Sequence, residues 1–285
     1  MSHASTYPMA SEPGVEGGAP ILELDHVVKR FGGLSAVDDL SFAVRSGEVL
    51  GVIGPNGAGK STVVGLVAGA LSPTSGVIRF EGQDIGRLRP HQRAHLGIAR
   101  TFQVAQPFAG LSMRENVVVG ALFGGRAPNR AAAMRIADEV LERTGLTAKA
   151  ALKGDELTVA DRKRLEMARA LALKPRLLLL DEVMAGLIPT EVELAVRLIR
   201  EINESGVTVV VIEHIMRAIQ GVSDRVLVIN FGKRLTEGSP QEVLSDPKVI
   251  EAYLGERYAK NSRAQGAAPL DPTSAAAPHE EENNS

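Results

Sequence analysis

Eight consecutive residues, Gly54-Pro55-Asn56-Gly57-Ala58-Gly59-Lys60-Ser61, fit the spacing G-x-x-x-x-G-K-[ST]. Each residue type there has a task around a phosphate chain. Glycines let backbone N–H groups curl toward phosphate oxygens, because no Cβ intrudes. A helix that begins where the loop ends aims its N-terminal dipole at the same anion. Lys60 is placed to reach the β- and γ-phosphates of such a chain. The Ser61 hydroxyl suits Mg²⁺, and Thr62 supports the α- or β-phosphate. The plain alternative is a Gly-rich turn that meets the spacing by accident. Against it, the apolar stretch 48–53 predicts a buried strand before the loop, and residues 60–70 predict a helix after it.

A nucleotidase built on such a loop needs acidic groups at the end of another strand. Arg176-Leu177-Leu178-Leu179-Leu180-Asp181-Glu182 supplies them. Four leucines in a row suit a strand buried on both faces of a parallel sheet. Asp181 leaves its carboxyl end, where ligands of open α/β sheets gather, and is placed to hold Mg²⁺ directly or through water. Glu182 is placed to orient or deprotonate an attacking water. Taken alone, the pair reads equally well as a solvated acidic turn.

These residues need a scaffold, and the rest of the chain predicts one. Strands are expected at 21–27, 40–44, 77–80, 177–180 and 207–212, with a turn at Gly82-Gln83-Asp84. Helices follow Pro189 and begin again near Ile215. Residues 225–229 and 233–236 read as a hairpin around Asn230-Phe231-Gly232. The span 89–173 reads as mostly helical, broken at 107–110, and is expected as a helical subdomain inserted into an α/β core with a parallel sheet. Residues 1–20 and 259–285 are small, polar and poor in apolar groups, the second ending in an acidic run. They read as disordered tails around a domain of 21–258.

Composition narrows the function. The chain has 285 residues, a net charge of −2 and 4% aromatics, with no Trp. No basic field or stacking platform invites nucleic acid. With no Cys, thiolate metal sites and disulfides are excluded. No apolar run approaches the roughly 20 residues of a spanning helix. The N-terminal residues lack the pattern of a signal peptide. Any service to a membrane is therefore expected through a partner.

Beyond the loop and the paired acids, the sequence resembles the ATP-binding-cassette superfamily. The resemblance implies roles for three further residues. Phe31, in Lys29-Arg30-Phe31-Gly32-Gly33, matches the aromatic that stacks on adenine. Gln103, in Arg100-Thr101-Phe102-Gln103, matches the glutamine that senses Mg²⁺ and γ-phosphate. His214, in Glu213-His214, matches the switch histidine. Over residues 21–255 the likeness is to the ATP-binding subunits of branched-chain amino acid importers. Ile212-Glu213-His214-Ile215-Met216, Asn230-Phe231-Gly232-Lys233 and Val249-Ile250-Glu251-Ala252-Tyr253-Leu254-Gly255 carry it.

That family implies a P-loop NTPase cassette with a mostly parallel core sheet, an antiparallel β subdomain and the inserted helical subdomain. It implies ATP and Mg²⁺ as cofactors. It implies a second cassette subunit, identical or different, paired head to tail. Membrane permeases and, indirectly, a solute-binding protein complete the expected assembly on the cytoplasmic face of a bacterial inner membrane. The surface 103–113, with Phe108 and Leu111, is expected to receive the permease. Another cargo (urea, amides, aromatic acids, or lipid for export) and a non-transport ATPase of the same superfamily are the rivals.

The resemblance is imperfect at one place. Where the family has Leu-Ser-Gly-Gly-Gln, this chain has Leu157-Thr158-Val159-Ala160-Asp161. Thr158 keeps a hydroxyl for the partner's γ-phosphate. Val159 and Ala160 replace glycines, which would strain the backbone if positive φ were required. Asp161 brings a negative charge that would oppose phosphate. Thr158-x-x-Asp161 also reads as a capping box for the following helix. Val183 and Ile188 depart from the family pattern beside the paired acids, and Ile188 is expected to weaken cross-talk between sites.

Overall fold

The computed structural model describes residues 20–101, 107–124 and 127–253. Two sheets organise them. The first is antiparallel, ordered β2-β1-β4-β5, from β1 (Pro20–Phe31), β2 (Leu34–Arg45), β4 (Ser75–Phe80) and β5 (Gln83–Asp84). The second has six strands, ordered β10-β9-β3-β8-β7-β6. Here β3 (Val49–Ile53), β6 (Ile98–Arg100), β7 (Leu177–Asp181), β8 (Thr208–Ile212) and β9 (Arg225–Asn230) run parallel. Only β10 (Lys233–Gly238) turns back on its neighbour.

The parallel strands are apolar on both faces because both faces are covered. Leu178 and Leu180 enter one core with Val209, Val211, Val226 and Val228. Leu177 and Leu179 enter the other with Val210, Ile212, Leu227 and Ile229. The strict alternation is the two-residue period of a pleated strand. Helix α1 (Lys60–Ala68) packs into the second core beside the antiparallel sheet. The first core is closed by α3 (Met113–Phe123), α4 (Arg130–Arg143), α5 (Val159–Leu171), α6 (Pro189–Glu204) and α7 (Met216–Val222).

Several boundaries differ from expectation, each for a local reason. Helix α1 stops at Ala68 because Gly69 takes φ 81°, a left-handed C-cap. The span expected to be mostly helical contains β6, three residues that pair with β7 as part of the core sheet. Gln83-Asp84, expected in a turn, pairs with Arg79-Phe80 as a short edge strand. The strands β1 and β2 are longer than their apolar patterns, because register shifts let polar stretches keep pairing. The β9–β10 hairpin forms as expected. Phe231 and Gly232 both take positive φ, the twist-matched two-residue connection.

One buried cation ties the α1 end of the core to the next element. Arg93, on α2 (Pro90–Leu96), is 1% exposed. Its guanidinium donates to the carbonyls of Leu66, Val67 and Leu88. Burial lowers its pKa to about 10, so it stays charged and caps the negative end of α1.

Candidate functional site

Four adjacent strands, β3, β8, β7 and β6, end on one edge of the sheet. Val52 pairs with Ile212, and Ile212 with Asp181. The loop 54–61 leaves β3, Glu213 and His214 leave β8, Asp181 and Glu182 leave β7, and Thr101 leaves β6. Residues separated by more than a hundred positions are thus brought onto one carboxyl edge, the usual ligand face of an open α/β sheet.

The loop is shaped by contacts that only glycine allows. A Cβ on Gly54 would lie 2.0 Å from the Ile229 carbonyl oxygen. Gly59 has φ 105°, and a Cβ there would lie 2.4 Å from the Ala36 carbonyl oxygen. The Gly232 N–H donates to Ala58 O at 2.9 Å, so the β9–β10 hairpin braces the loop from outside. Lys60 Nζ donates to Gly54 O at 2.6 Å and Pro55 O at 2.9 Å. Asn56, Gly57 and Ser61 are exposed at the mouth, and Thr62 is half-buried. Phe31, at the end of β1, is half-exposed, with Lys29 Nζ 5.0 Å from its ring centroid.

At the end of β7, Asp181 is buried, and its N–H donates to Thr101 Oγ1 at 3.2 Å. Burial raises its pKa first, and the neighbouring Glu182 charge second. Arg100, Lys60 and Lys163 pull it back. A serine hydroxyl and one carboxylate form the hard-oxygen set that Mg²⁺ takes when phosphates supply further ligands. Among the described residues no cluster of three or more His, Cys, Asp or Glu could hold a metal by itself. Glu182 takes φ 50°, a left-handed conformation unusual for its type. Its N–H donates to Ile212 O at 2.9 Å, and Lys163 Nζ donates to its carbonyl at 3.0 Å.

Sequence reasoning gave no role to two neighbours of this turn. Glu213 is 1% exposed, and its Oε1 accepts from the Met184 N–H at 2.7 Å. Burial pushes its pKa up to about 7 against hydrogen bonds from the Met184 and His214 backbone, with Glu182 raising it further and Lys163 lowering it. Lys163 reaches in from α5. The usable signal for Glu213 was a charge directly after a fully apolar strand. His214 itself is exposed on the same edge.

The stretch 157–161 sits at the start of α5. Thr158 is its N-cap and accepts from the Asp161 N–H at 3.1 Å, while Asp161 reaches back to the Thr158 N–H. The capping-box reading is therefore realised. A hydroxyl that accepts a cap bond still has its own proton to donate outward. Neither Val159 nor Ala160 has positive φ, so the strain that glycine would have relieved does not arise. Asp161 is 4% exposed, and Lys149 Nζ holds it at 2.7 and 2.8 Å. Its charge is turned inward and paired, instead of facing an anion as the sequence suggested.

Gln103 lies outside the described residues. Next to that segment, a cleft of about 240 Å³ is lined by Arg100, Thr101, Phe123, Glu166 and Arg169. Arg169 also covers the Phe108 ring at 4.8 Å, and Phe123 is exposed. Among the described residues no helix is long and apolar enough to cross a membrane.

Comparisons agree with this architecture. Residues 37–185 match the ABC transporter family, and residues 233–259 match a family described as branched-chain amino acid ATP-binding cassette transporter. The chain is 39% identical over 251 residues to the high-affinity branched-chain amino acid transport ATP-binding protein BraF of Pseudomonas aeruginosa, covering 83% of this chain and 98% of the relative. It is 38% identical to LivG, of the same description, from Escherichia coli, with the same coverage. It is 35% identical to the lipopolysaccharide export system ATP-binding protein LptB of Acidithiobacillus ferridurans, covering 84% and 98%. Among solved structures, the ADP conformation of an ATP-binding cassette of an ABC transporter superposes with TM-score 0.76 at 32% identity, covering 83% and 99%. A dimeric cassette bound to ADP and phosphate superposes with TM-score 0.70 at 25% identity, covering 77% and 98%.

Proposed function

The chain belongs to the ABC transporter family as an ATP-binding, ATP-hydrolysing subunit, and from that membership we propose that it energises import of branched-chain amino acids. The C-terminal match at residues 233–259 supports this cargo over lipid export, although the LptB relative shares much of the cassette. The mechanism rests on one observation, the gathering of the phosphate loop, paired acids and His214 at the ends of adjacent strands.

On this reading the loop N–H groups and Lys60 grip the β- and γ-phosphates, and Phe31 stacks on adenine. Gln103, Ser61 and Asp181 would hold Mg²⁺, which would supply charge neutralisation for the phosphoryl group. Glu182 orients the attacking water and draws its proton, and His214 contacts the γ-phosphate. Thr158 donates its hydroxyl to the γ-phosphate in a second cassette, identical or related, paired head to tail. The N-terminus of α5 points at the same anion. Residues 21–258 form the ATP-binding domain. The subunit docks through the cleft beside Phe108 and Phe123 on membrane permeases at the cytoplasmic face, and a solute-binding protein acts on their far side.

The deciding variant is Glu182→Gln. It is expected to bind ATP with unchanged affinity, lose about a hundredfold or more of turnover, and accumulate a closed dimer. Normal steady-state turnover in that variant would remove Glu182 from the role of base.

A further inference from the structure

The turn that presents Glu182 is held in an unusual backbone state. Glu182 has φ 50° without being glycine, a conformation that persists only where the surroundings over-determine it. Three bonds do so here. The Glu182 N–H is bound by Ile212 O at the end of β8. The Glu182 carbonyl is bound by Lys163 Nζ from α5. Two residues on, the Met184 N–H is bound by the Glu213 carboxyl. Glu213 is 1% exposed, and its other oxygen, Oε2, has no hydrogen-bond partner. A carboxyl so buried carries a desolvation cost that packing alone would not keep. An apolar residue would fill the space at lower cost, but it could not take the Met184 N–H.

We propose that Glu213 is a positioning residue for hydrolysis. Its carboxyl fixes the backbone of residues 182–184 to the end of β8, so that Glu182 meets the attacking water at the right angle. Lys163 braces the opposite side of the same turn. The helix that carries Lys163 begins at Thr158, so the cap facing the partner's nucleotide and the turn carrying this chain's own base share one rigid element. Glu213 touches no reacting atom, and its effect is on placement.

The inference rests on Glu182 being the base, and the test separates the two. In the full chain, Glu213→Ala is expected to lower kcat about tenfold while the ATP dissociation constant stays within about twofold. Glu213→Gln keeps an oxygen facing the Met184 N–H and is expected to restore kcat to within about threefold of the parent. Lys163→Met is expected to lower kcat in the same direction, again sparing affinity. Should Glu213→Ala fail to fold, Glu213→Asp keeps the carboxyl group and withdraws it by one methylene. The same split is then read from Glu213→Asp. Parental kcat in the truncated variant overturns the proposal. So does a parallel loss of kcat and affinity, or a glutamine variant as slow as the alanine. If Glu182→Gln turns over normally, the base assignment fails first. If Glu182→Gln is inactive and Glu213→Ala is not impaired, only the positioning role fails.

Discussion

The phosphate loop and the turn at the start of α5 are both proposed to meet the same kind of anion, yet they are built on opposite plans. The loop works through bare backbone. Gly54 and Gly59 stand against carbonyls of Ile229 and Ala36 at distances no side chain survives, so its sequence is pinned by its own neighbours. The turn at 157–161 works through side chains. Thr158 and Asp161 bond each other's backbone, Lys149 pairs the acid, and Val159 and Ala160 are ordinary helical residues. A site closed by its own fold cannot drift in sequence. A site that another subunit were to complete would need only an open helix end and one hydroxyl, and Val159 and Ala160 sit at that helix end without positive φ.

The comparison makes graded predictions. Gly59→Ala should have the largest effect. The clash with Ala36 O and the φ of 105° together should lower ATP affinity about a hundredfold, read by nucleotide titration. Near-parental affinity would show that the loop is as tolerant as the turn. Thr158→Ala comes next. Loss of the cap should cost about 1 kcal/mol in thermal or denaturant unfolding. If the hydroxyl also reaches a partner's phosphate, turnover per folded dimer should fall several-fold while ATP binding to the monomer is unchanged.

Asp161→Asn should be milder and pH-dependent. Burial raises the Asp161 pKa, but the Lys149 and Thr158 hydrogen bonds outweigh it and leave the group below its ordinary 3.8. A depressed carboxyl stabilises the fold above its unfolded value, and that stability is lost as pH falls through the folded one. The melting-temperature gap between parent and variant should therefore be constant from neutral pH down to about 5, worth about 1 kcal/mol, and should close below 3.8. A gap that persists in strong acid would show that the pair contributes shape and not charge. Ala160→Gly should have the smallest effect, below about 1 kcal/mol, because helical backbone there gains nothing from glycine. A large rise in turnover would instead show that the missing glycine had limited the site.

Much of this was legible in the sequence because the relevant signals are local. The loop is one continuous motif, and Leu177–Asp181 carries its own burial pattern and its acid. The β9–β10 hairpin is announced by its turn. What stayed hidden depends on packing across the chain. Lys163 reaches a carbonyl 19 positions away, and Glu213 an N–H 29 positions away. Lys149 pairs with an acid 12 positions on, a contact that no local pattern announces. Strand β6 has three residues, too few to show a period, and is a strand only because β7 lies beside it. Gln103 lies outside the described residues, so its role rests on the resemblance alone.

The strand order carries one more consequence, for how the molecule is made. Strand β3, which ends in the phosphate loop, has only β8 and β9 as sheet neighbours. Both come from the last third of the chain, so the loop's strand waits for more than 150 residues of synthesis before it can pair. Domains fold as units during translation, and long-range pairing must bear its loop-closure cost first. A ribosome-bound chain ending before Thr208 should therefore carry the whole Gly54–Ser61 motif and still not retain nucleotide on an ATP resin. The first catalytic motif to leave the ribosome is among the last to gain a floor.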